Sequence, residues 1–415
     1  MLRLASLIPI TLALFSPPAG AAEGAAKNSC VDCHGDPLEE AGADIHRAAG
    51  LSCVSCHRGD PSAEDPEKAM SPAKGFVGRP KAMAVANLCG ACHSDIEKMR
   101  VINPRLPTDQ LAQYRTSQHG KLAAQGNERV ATCVSCHGAH GIASVKDPAS
   151  PASKGRVVAT CTGCHNPTYM KAAAIPADQL EKYQLSVHGQ KRLQERDPGA
   201  PACNDCHGNH GAAPPGVYSV THVCGRCHVT QAEHFEGSSH AGHFRELGVP
   251  PCTTCHSHHD ILATSDELLG TGERGTCAAC HKPGDRCDQA TAMMKGELTR
   301  LTLAVTRAQE ALGRADRHGM DVERPTYELA GATDALVRAR VEIHTFSETG
   351  FRKVIDEGVE VATDVEKAAF AKLAEYQYRR KGLAAAAAML LLFAGLLGLR
   401  ARRLERSRLE TEKRQ

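Results

Sequence analysis

The sequence contains no tryptophan, and tryptophan, tyrosine and phenylalanine together make up 4% of its 415 residues. Glycine and proline are more plentiful, at 37 and 22 residues. Because large apolar side chains form most of a hydrophobic core, this chain has little material for a core made of polypeptide alone. We therefore expect another component to fill much of the interior.

Cysteine, by contrast, occurs 19 times, and all but one of these residues fall into repeated copies of the pattern C-x-x-C-H. The copies are Cys30/Cys33/His34, Cys53/Cys56/His57, Cys89/Cys92/His93, Cys133/Cys136/His137, Cys161/Cys164/His165, Cys203/Cys206/His207, Cys224/Cys227/His228, Cys252/Cys255/His256 and Cys277/Cys280/His281. The pattern is typical of c-type haem attachment, in which both thiols bind the porphyrin and the histidine becomes the proximal iron ligand. A disulfide scaffold or tandem zinc ribbons would not require a histidine after every second cysteine. The sequence therefore predicts nine covalently bound haem c groups, which would supply the missing core.

Three of these motifs carry another histidine three residues after the first. We call these residues, His140, His210 and His259, the trailing histidines. Three residues span at most about 11 Å, which is too short for a trailing histidine to reach the far face of its own haem. We therefore expect each of them to ligate another haem, in the same repeat or the next.

An aromatic residue followed by Ser-x-His precedes the same three motifs, as YRTSQHG, YQLSVHG and FEGSSHA. The histidines of this pattern, which we call the lead histidines, are His119, His188 and His240. With the haem motifs they form three repeats, at about 114–165, 183–228 and 235–281, and each repeat contains two motifs.

The spare histidines are sufficient to give every haem a second axial ligand. The predicted distal ligands are the three lead and three trailing histidines and His46, which precedes Cys53 by seven residues. Two further ligands are expected among His222, His234, His243 and His258. His318 and His344 lie in a different type of sequence, and we interpret them as ordinary surface or core residues.

Both ends of the chain predict its location. Residues 1–22 combine an early arginine, an apolar run and small residues, as in a secretory signal peptide. Residues 382–399 are apolar and of about the length needed to span a bilayer. The basic tail, residues 400–415, would then lie in the cytoplasm. These segments predict a bacterial inner-membrane protein with a single C-terminal span and a periplasmic haem domain, residues 23–285; a buried helical hairpin is the alternative for the apolar run.

The segment 286–381 has the spacing of amphipathic helices. Leu298, Leu301, Val305, Ala308 and Leu312 follow the three-four pattern of one buried face. A break at 318–325 precedes a second helix through Leu329, Leu336, Val337 and Ile343, and a third helix from Gly350 leads into the apolar run. We predict an antiparallel helical stalk and a candidate homo-oligomer interface. Cys287, the one cysteine outside a motif, is predicted to be a buried free thiol.

The charge of the chain restricts its partners. The formal net charge is +2, from 49 basic and 47 acidic residues. Leaving out the leader and the basic tail, and adding two propionates for each haem, makes the exported part acidic. Nucleic acid attracts basic surfaces, so no nucleic-acid partner is expected. An acidic domain instead favours redox proteins with basic surfaces.

The motifs YxxSxHG, CxxCHGxHG and CxxCH resemble those of the periplasmic multihaem c-type cytochromes of anaerobic respiratory chains, over roughly residues 30–281. The resemblance implies a mainly α fold with extensive irregular structure, packed around haems. It also implies electron relay between the quinone pool or a membrane partner and periplasmic or extracellular acceptors. Related quinol dehydrogenases usually have an N-terminal anchor and fewer haems, whereas this apolar run is C-terminal.

An enzyme is the alternative to an electron carrier. Pentahaem nitrite reductase and hydroxylamine oxidoreductase also join haem domains to long C-terminal helices, which implies a reductase or oxidoreductase of nitrogen or sulfur compounds. Such an enzyme needs one iron with an open coordination position. No motif has lysine in place of histidine, and spare histidines outnumber haems. The sequence therefore favours electron transfer and predicts no catalytic residue.

Overall fold

The computed structural model describes residues 28–35, 44–173 and 175–413. The predicted signal peptide, residues 1–22, lies outside this range. The described chain is mainly helical and contains no β-strand, which confirms the mainly α prediction. It divides into two compact units, the described parts of Met1–Gly163 with Gly208–Ala213, and of Cys164–His207 with Pro214–Gln415. The boundaries lie inside the predicted haem domain, and the stalk belongs to the second unit.

The haem-motif region consists of short helices joined by irregular segments. In the first unit the helices are Cys30–His34, Ile45–Ala48, Cys53–His57, Pro66–Ala69, Pro72–Lys74 (3-10), Met83–His93, Ile96–Ile102, Gln110–Thr116, Gln118–Ala124, Cys133–His137 and Val157–Thr162. In the second unit they are Pro167–Met170, Lys171–Ala173 (3-10), Gln179–Leu185, Val187–Gly189, Gln190–Gln194 (π), Cys203–His207, Val217–Ser219 (3-10), Val220–Gly225, Val229–Glu236, Ser239–Leu247, Pro251–His256, Asp266–Leu268 (3-10) and Thr276–Ala279 (3-10).

The polypeptide core of this region is small. In the first unit, the buried apolar cluster consists of Ala86, Tyr114 and Ala123, with a few half-buried neighbours. The stalk has a cluster several times larger, which includes Leu298, Leu301, Phe351 and Ile355. The haem-motif region therefore has few large apolar side chains at its centre, as its composition predicted.

Three long helices form the stalk: Arg286–Arg317, Glu323–Glu342 and Glu348–Glu412. The side chain of Asp285 accepts a hydrogen bond from the Asp288 N–H and so caps the first helix. A turn at 318–322 separates the first two helices, inside the predicted break, and a single 3-10 turn, Ile343–Thr345, precedes the third. These short connections make consecutive helices antiparallel neighbours.

Charged pairs show how the stalk helices run. Three ion pairs join the first and third helices in increasing order: Arg352–Glu297 (3.1 Å), Arg300–Asp356 and Arg307–Glu366 (3.7 Å). These two helices are therefore parallel. Between the second and third helices, Arg338 pairs with Glu357 (3.5 Å), while Gly331 lies beside Val361. The second helix is thus antiparallel to both of its neighbours, and the segment is an up-down-up bundle.

Close packing of small residues holds the bundle together. The five predicted apolar positions of the first helix are all buried. A Cβ at Gly358 would lie 2.6 Å from Ala335 and 2.9 Å from Leu301, so only glycine fits this helix crossing. Val337 lies in the second helix, as predicted, but is 57% exposed, because this helix contacts its neighbours through a narrow stripe of alanines.

The third stalk helix continues without interruption through the apolar run. It has 65 residues, and its most apolar window has a mean hydropathy of 2.3 with no residue buried. From residue 377 to residue 413 every side chain is exposed. In the described part of the chain this is the one helix long and apolar enough to cross a membrane. A buried helical hairpin, the alternative prediction, is not what the structure shows.

Candidate metal centres

Most C-x-x-C-H motifs lie on a single helical turn. Four of the helices, such as Cys53–His57 and Cys133–His137, begin at the first cysteine and end at the histidine. Residues three and four apart share one face of a helix, so both thiols and the imidazole project to the same side. In Cys133–His137 the side chains of Thr132 and Ser135 form a reciprocal capping box that starts the helix. The turn is thus suited to hold one group by three side chains.

Three predicted attachment cysteines, Cys92, Cys227 and Cys280, lie in motifs whose helix does not run from the first cysteine to the histidine. Cys92 is half-buried in the last turn of the longer Met83–His93 helix. Cys227 and Cys280 are exposed and follow the ends of their short helices. Backbone bonds still complete the turn, because the N–H of Cys227 donates to the Cys224 carbonyl (3.2 Å) and that of Cys280 to the Cys277 carbonyl (3.1 Å). The motif therefore keeps its turn even where the regular helix stops short of the second cysteine.

The motif of Cys161 also extends beyond its helix. Cys161 lies in the Val157–Thr162 helix, and Cys164 follows the end of that helix by two residues. Both side chains are half-buried.

The residue after the motif histidine turns the chain away from that face. Gly35, Gly138 and Gly208 have positive φ angles of 66°, 84° and 83°. Glycine enters this region at little cost, which explains the recurrent C-H-G. Arg58 and Ser257 adopt the same region without that advantage, at 57° and 61°. The sharp turn thus recurs in five of the nine motifs and does not require glycine, whereas Ser94 and Asn166, which follow His93 and His165, have negative φ angles.

The aromatic-Ser-x-His-Gly pattern forms a second device, which positions the lead histidine. The Ser117 hydroxyl donates to the Tyr114 carbonyl (2.6 Å) and accepts from the Gly120 N–H (2.9 Å). A Cβ at Gly120 would lie 1.9 Å from the Tyr114 oxygen, so the tight turn requires glycine. The Tyr114 hydroxyl donates to the carbonyl of Ala131, two residues before the first motif cysteine. The pattern thereby fixes the lead-histidine helix beside the haem motif that follows it.

The same geometry recurs in the second repeat. The Tyr183 hydroxyl donates to the Pro201 carbonyl at 2.6 Å, and Ser186 caps the turn at Gly189. In both repeats the acceptor carbonyl lies two residues before the first cysteine. The sequence repeat is therefore also a structural repeat.

Among the described residues, we find seven pairs of histidine rings that face each other at nearly equal separation. Their ring centres are 5.8–6.3 Å apart. The pairs are His46 with His93, His57 with His140, His137 with His210, His188 with His228, His207 with His259, His240 with His281, and His256 with His344. In every pair, one ring belongs to a C-x-x-C-H motif and the other does not.

This separation matches two imidazoles on opposite sides of one metal ion. An imidazole nitrogen bonds a metal at about 2 Å, and about 1 Å more on each side reaches the ring centre, giving roughly 6 Å in total. Aromatic rings in ordinary contact spread over a wider range, about 4.5–7 Å. The narrow spread and the constant pairing of a motif ring with a non-motif ring therefore fit a shared ligand position.

Each trailing histidine faces a motif that precedes its own repeat or opens the repeat before it. His210 of the second repeat faces His137 of the first, and His259 of the third faces His207 of the second. His140 faces His57. The prediction that a trailing histidine serves its own repeat or the next was wrong, because the chain folds back along the preceding motifs.

A recurring backbone bond fixes this backward step. The N–H of the residue before a lead histidine, or before His46, donates to the carbonyl two residues after a trailing histidine. The three examples are Ile45 to Ile142 (3.0 Å), Gln118 to Ala212 (3.1 Å) and Val187 to Ile261 (2.8 Å). The trailing segment of one repeat is therefore held beside the lead segment of the preceding one.

Lead histidines face the second motif of their own repeat. His188 faces His228, and His240 faces His281. His46 relates to His93 in the same way, with Cys53–His57 between them in sequence. The structure thus adds a fourth repeat, beginning at His46, that the sequence patterns did not include because its aromatic residue and serine are missing.

His344 was missed by the sequence prediction, which treated it as an ordinary residue. It lies on the 3-10 turn between the second and third stalk helices, and its ring is 6.1 Å from that of His256. Its Nδ1–H donates to the Val341 carbonyl (2.9 Å), which leaves Nε2 directed away from the backbone. Phe346, two residues later, stacks on the lead histidine His240 at 3.7 Å. This turn therefore occupies the place of a trailing segment, although no local motif marks it.

Two further ligands were expected among His222, His234, His243 and His258, which we call the reserve set. Three of these four histidines have other contacts. His234 pairs with Glu342 (3.3 Å), His243 pairs with Glu246 (3.6 Å), and His258 lies against His259 at 4.7 Å. His318 stacks on Tyr376 at 4.4 Å, as expected for an ordinary residue. No opposed motif ring is found for the reserve set, His222 included, within the described residues. Instead, His344 is the residue whose ring faces the motif histidine His256.

Two predicted ligands, His119 and His165, have not yet been placed, and their ligand roles stay predictions. His119 lies in the Gln118–Ala124 helix, which Ser117 caps, and His165 directly follows Cys164. Burial lowers the pKa of His165.

Burial also favours neutral imidazoles in the paired positions. It lowers the pKa of His93, His137, His210, His256 and His344, with neighbouring histidines as secondary causes in several cases. Neutral imidazole is the form that binds a metal. The environment therefore keeps these side chains ready to act as ligands near neutral pH.

The thiols of successive motifs are neighbours. Those of Cys89 and Cys133 hydrogen-bond to each other, which raises the pKa of Cys89. In the second unit, contact with Cys252 lowers the pKa of Cys224 to about 7. Burial, and then a thiol of the next motif, raise the pKa of Cys30 beside Cys53, Cys56 beside Cys89, Cys206 beside Cys224 and Cys255 beside Cys277. The two motifs joined by each of these six cysteine pairs therefore lie side by side.

Cys92, Cys227 and Cys280 contribute less to the pKa shifts of neighbouring thiols than the first cysteines of their motifs do. Each adds to the charge that raises the pKa of a second cysteine in the preceding motif, after burial and a nearer thiol. Among the described residues, none of the three thiols makes a hydrogen bond of its own. Their assignment as haem-attachment residues therefore stays a prediction from the motif and its backbone turn.

The donor arrangement does not fit zinc ribbons. A structural zinc ion needs four cysteine or histidine ligands around one point. Across the described ranges, the one group of three or more candidate donors that close together is His281, Asp285 and Cys287. Cys287 itself is half-buried, less enclosed than predicted, and burial followed by the Cys277 thiol raises its pKa to about 12.

No family model, curated protein or solved structure matches this chain.

Proposed function

We propose that this chain is a nonahaem c-type cytochrome that relays electrons between the quinone pool, or another membrane partner, and periplasmic or extracellular acceptors. The observation that carries the proposal is the set of seven opposed histidine pairs. Each would give a haem attached at one C-x-x-C-H motif two imidazole ligands. Such a haem supplies reversible one-electron chemistry with no position for substrate.

The chain's own groups orient these ligands. The Nδ1–H of His57 donates to the Val77 carbonyl at 2.8 Å, and His281 Nδ1 lies 3.1 Å from an Asp285 carboxylate oxygen. Bonds of this kind fix the ring and its tautomer and leave Nε2 for the iron. Differences between a carbonyl and a carboxylate partner, together with burial, are means of giving each haem its own potential.

Close spacing supports relay as the role of the set. The contacts between thiols of successive motifs, Cys89 with Cys133 and Cys224 with Cys252, would bring the edges of neighbouring macrocycles together. Electron tunnelling falls steeply with distance, so an array of neighbours can pass electrons that separated haems could not. The reductase alternative needs an iron with an open position, and seven of the nine motif histidines already face a partner, which favours relay at those seven centres.

The long third stalk helix supports a membrane anchor. None of its most apolar stretch is buried within the described chain, as expected if lipid surrounds it. With an N-terminal leader and haem attachment outside the cytoplasm, we place the haem units in the periplasm and the basic tail in the cytoplasm. Redox proteins with basic surfaces are the proposed soluble partners, and the exposed face of the stalk is the proposed homo-oligomer contact.

Mass spectrometry of the mature protein tests the proposal directly. We expect nine haem additions per chain, and seven or fewer after full maturation would overturn it. Cys136→Ser should weaken or remove one attachment. Cys287→Ser is the matched control, since Cys287 lies outside every motif, and it should retain nine haems.

A further inference from the structure

Resting on the function proposed above, we propose that the centre at Cys30, Cys33 and His34 has no internal distal histidine and binds a small external ligand at its iron. The probe for this ligand class is carbon monoxide. Three observations support the inference: the repeat rule, the residue that replaces histidine, and the surroundings of His34.

The repeat rule assigns a trailing position to His34. His140, His210 and His259 each lie three residues after a motif histidine and face the first motif of the preceding repeat. The fourth repeat, which begins at His46, has its own trailing position three residues after His57. The motif that precedes this repeat is the one that contains His34.

Aspartate occupies that trailing position. The sequence there is C-H-R-G-D, so Asp60 stands where the other repeats have histidine. The Asp60 carboxylate accepts from the Ser62 N–H (3.1 Å) and hydroxyl (2.6 Å) and lies 3.9 Å from Lys74 Nζ. Its hydrogen bonds are thus satisfied within its own loop.

The segment after Asp60 nevertheless packs against the start of the Cys30–His34 helix. The Ser29 N–H donates to the Pro61 carbonyl (2.9 Å), and the Ser29 hydroxyl donates to that of Ala63 (2.7 Å). The backbone of the loop is therefore in place, and only the imidazole has been replaced. All 22 histidines lie within the described residues, and His34 belongs to none of the seven opposed pairs.

A bis-histidine haem has no free coordination position, whereas a haem with one histidine can accept a small ligand. The inference therefore predicts that the reduced, full-length protein binds about one carbon monoxide per chain. The oxidised protein should show a high-spin ferric signal of about one haem in nine. An absence of both signals from protein that carries nine haems would overturn the inference while leaving the relay function intact.

Asp60→His tests the residue itself. By the repeat rule it should supply the missing imidazole, so carbon monoxide binding and the high-spin signal should both disappear while nine haem additions remain. Glu67→His, on an exposed position of the next short helix, is the matched control and should bind carbon monoxide like the unaltered protein. Equal binding by the two variants, with nine haems each, would contradict the assignment of Asp60. Fewer than nine haems in the unaltered protein would instead count against the proposed function.

Discussion

Replacement of His344 by alanine tests the least expected feature of the structure, a stalk residue that faces a motif histidine and that we propose as a haem ligand. The ring of His344 is 6.1 Å from that of His256, and its Nδ1–H is fixed by the Val341 carbonyl. The residue lies on a three-residue turn, so alanine removes the imidazole without interrupting a long helix. The haem should stay attached through Cys252 and Cys255 and keep His256 as its proximal ligand.

The expected signal can be worked from the number of motifs. One haem in nine changes from six- to five-coordinate, so the high-spin ferric EPR signal should rise by about one haem per chain, or about 11% of the total. Added imidazole should reverse the change by entering the space that the side chain leaves. Haem content by mass should not change.

His318→Ala is the matched control, because His318 also lies at a stalk turn but stacks on Tyr376 and faces no motif. It should leave the EPR spectrum unaltered. If His344→Ala also leaves the high-spin content unchanged in a protein with nine haems, the pairing with His256 is not a ligand pair. A ring-centre separation of about 6 Å would then not indicate a shared metal ion in the other six pairs either.

Three further predictions follow from the repeat. His140→Ala should leave its own motif unchanged and instead make the haem of His57 high-spin, as site-resolved resonance Raman or NMR spectra would show; a change at the motif of His140 itself would contradict the backward pairing. Gly120→Ala should lower the free energy of unfolding by at least about 1–3 kcal/mol, because its Cβ would lie 1.9 Å from the Tyr114 oxygen. Gly242→Ala, where no atom lies within 4 Å, should be neutral or stabilising in the same unfolding measurement, and equal effects would refute the steric argument. Protease added to intact spheroplasts should release the haem-bearing fragment and leave a C-terminal tag protected; the reverse pattern would exclude the proposed topology.

The sequence predicts local features well because they depend on local geometry. The break between the first two stalk helices and the buried face through Leu298 and Leu301 follow from helical periodicity. The trailing histidines were predicted to face another motif because a three-residue tether cannot reach around a macrocycle, and their rings do face other motifs. These inferences need only the distance between residues along the chain.

The identity of each partner depends on the path of the chain over long distances. His140 and His57 are 83 residues apart, and nothing near either residue specifies the other. His344 has no motif around it, and its role arises because the stalk turn lies against the last repeat, with Phe346 stacked on His240. Arg340 holds this region through a bidentate pair with Asp266 (2.9 and 3.0 Å). Such contacts between distant segments carry no local sequence signal.

Backward pairing has a consequence for the two ends of the array. Each repeat supplies a trailing imidazole to the motif before it, so the first motif of the last repeat has no following repeat to complete it. The stalk fills that position with His344, opposite His256. At the other end, the motif of His34 would depend on Asp60, which cannot serve as an imidazole. With the haems proposed above, the stalk end would be closed by a protein ligand, whereas the N-terminal end would be the natural place for an open centre. When each repeat donates a ligand in the same direction, the first and last centres of the array must differ. In this chain the difference lies in Asp60 and His344, and each of them can be replaced by mutation.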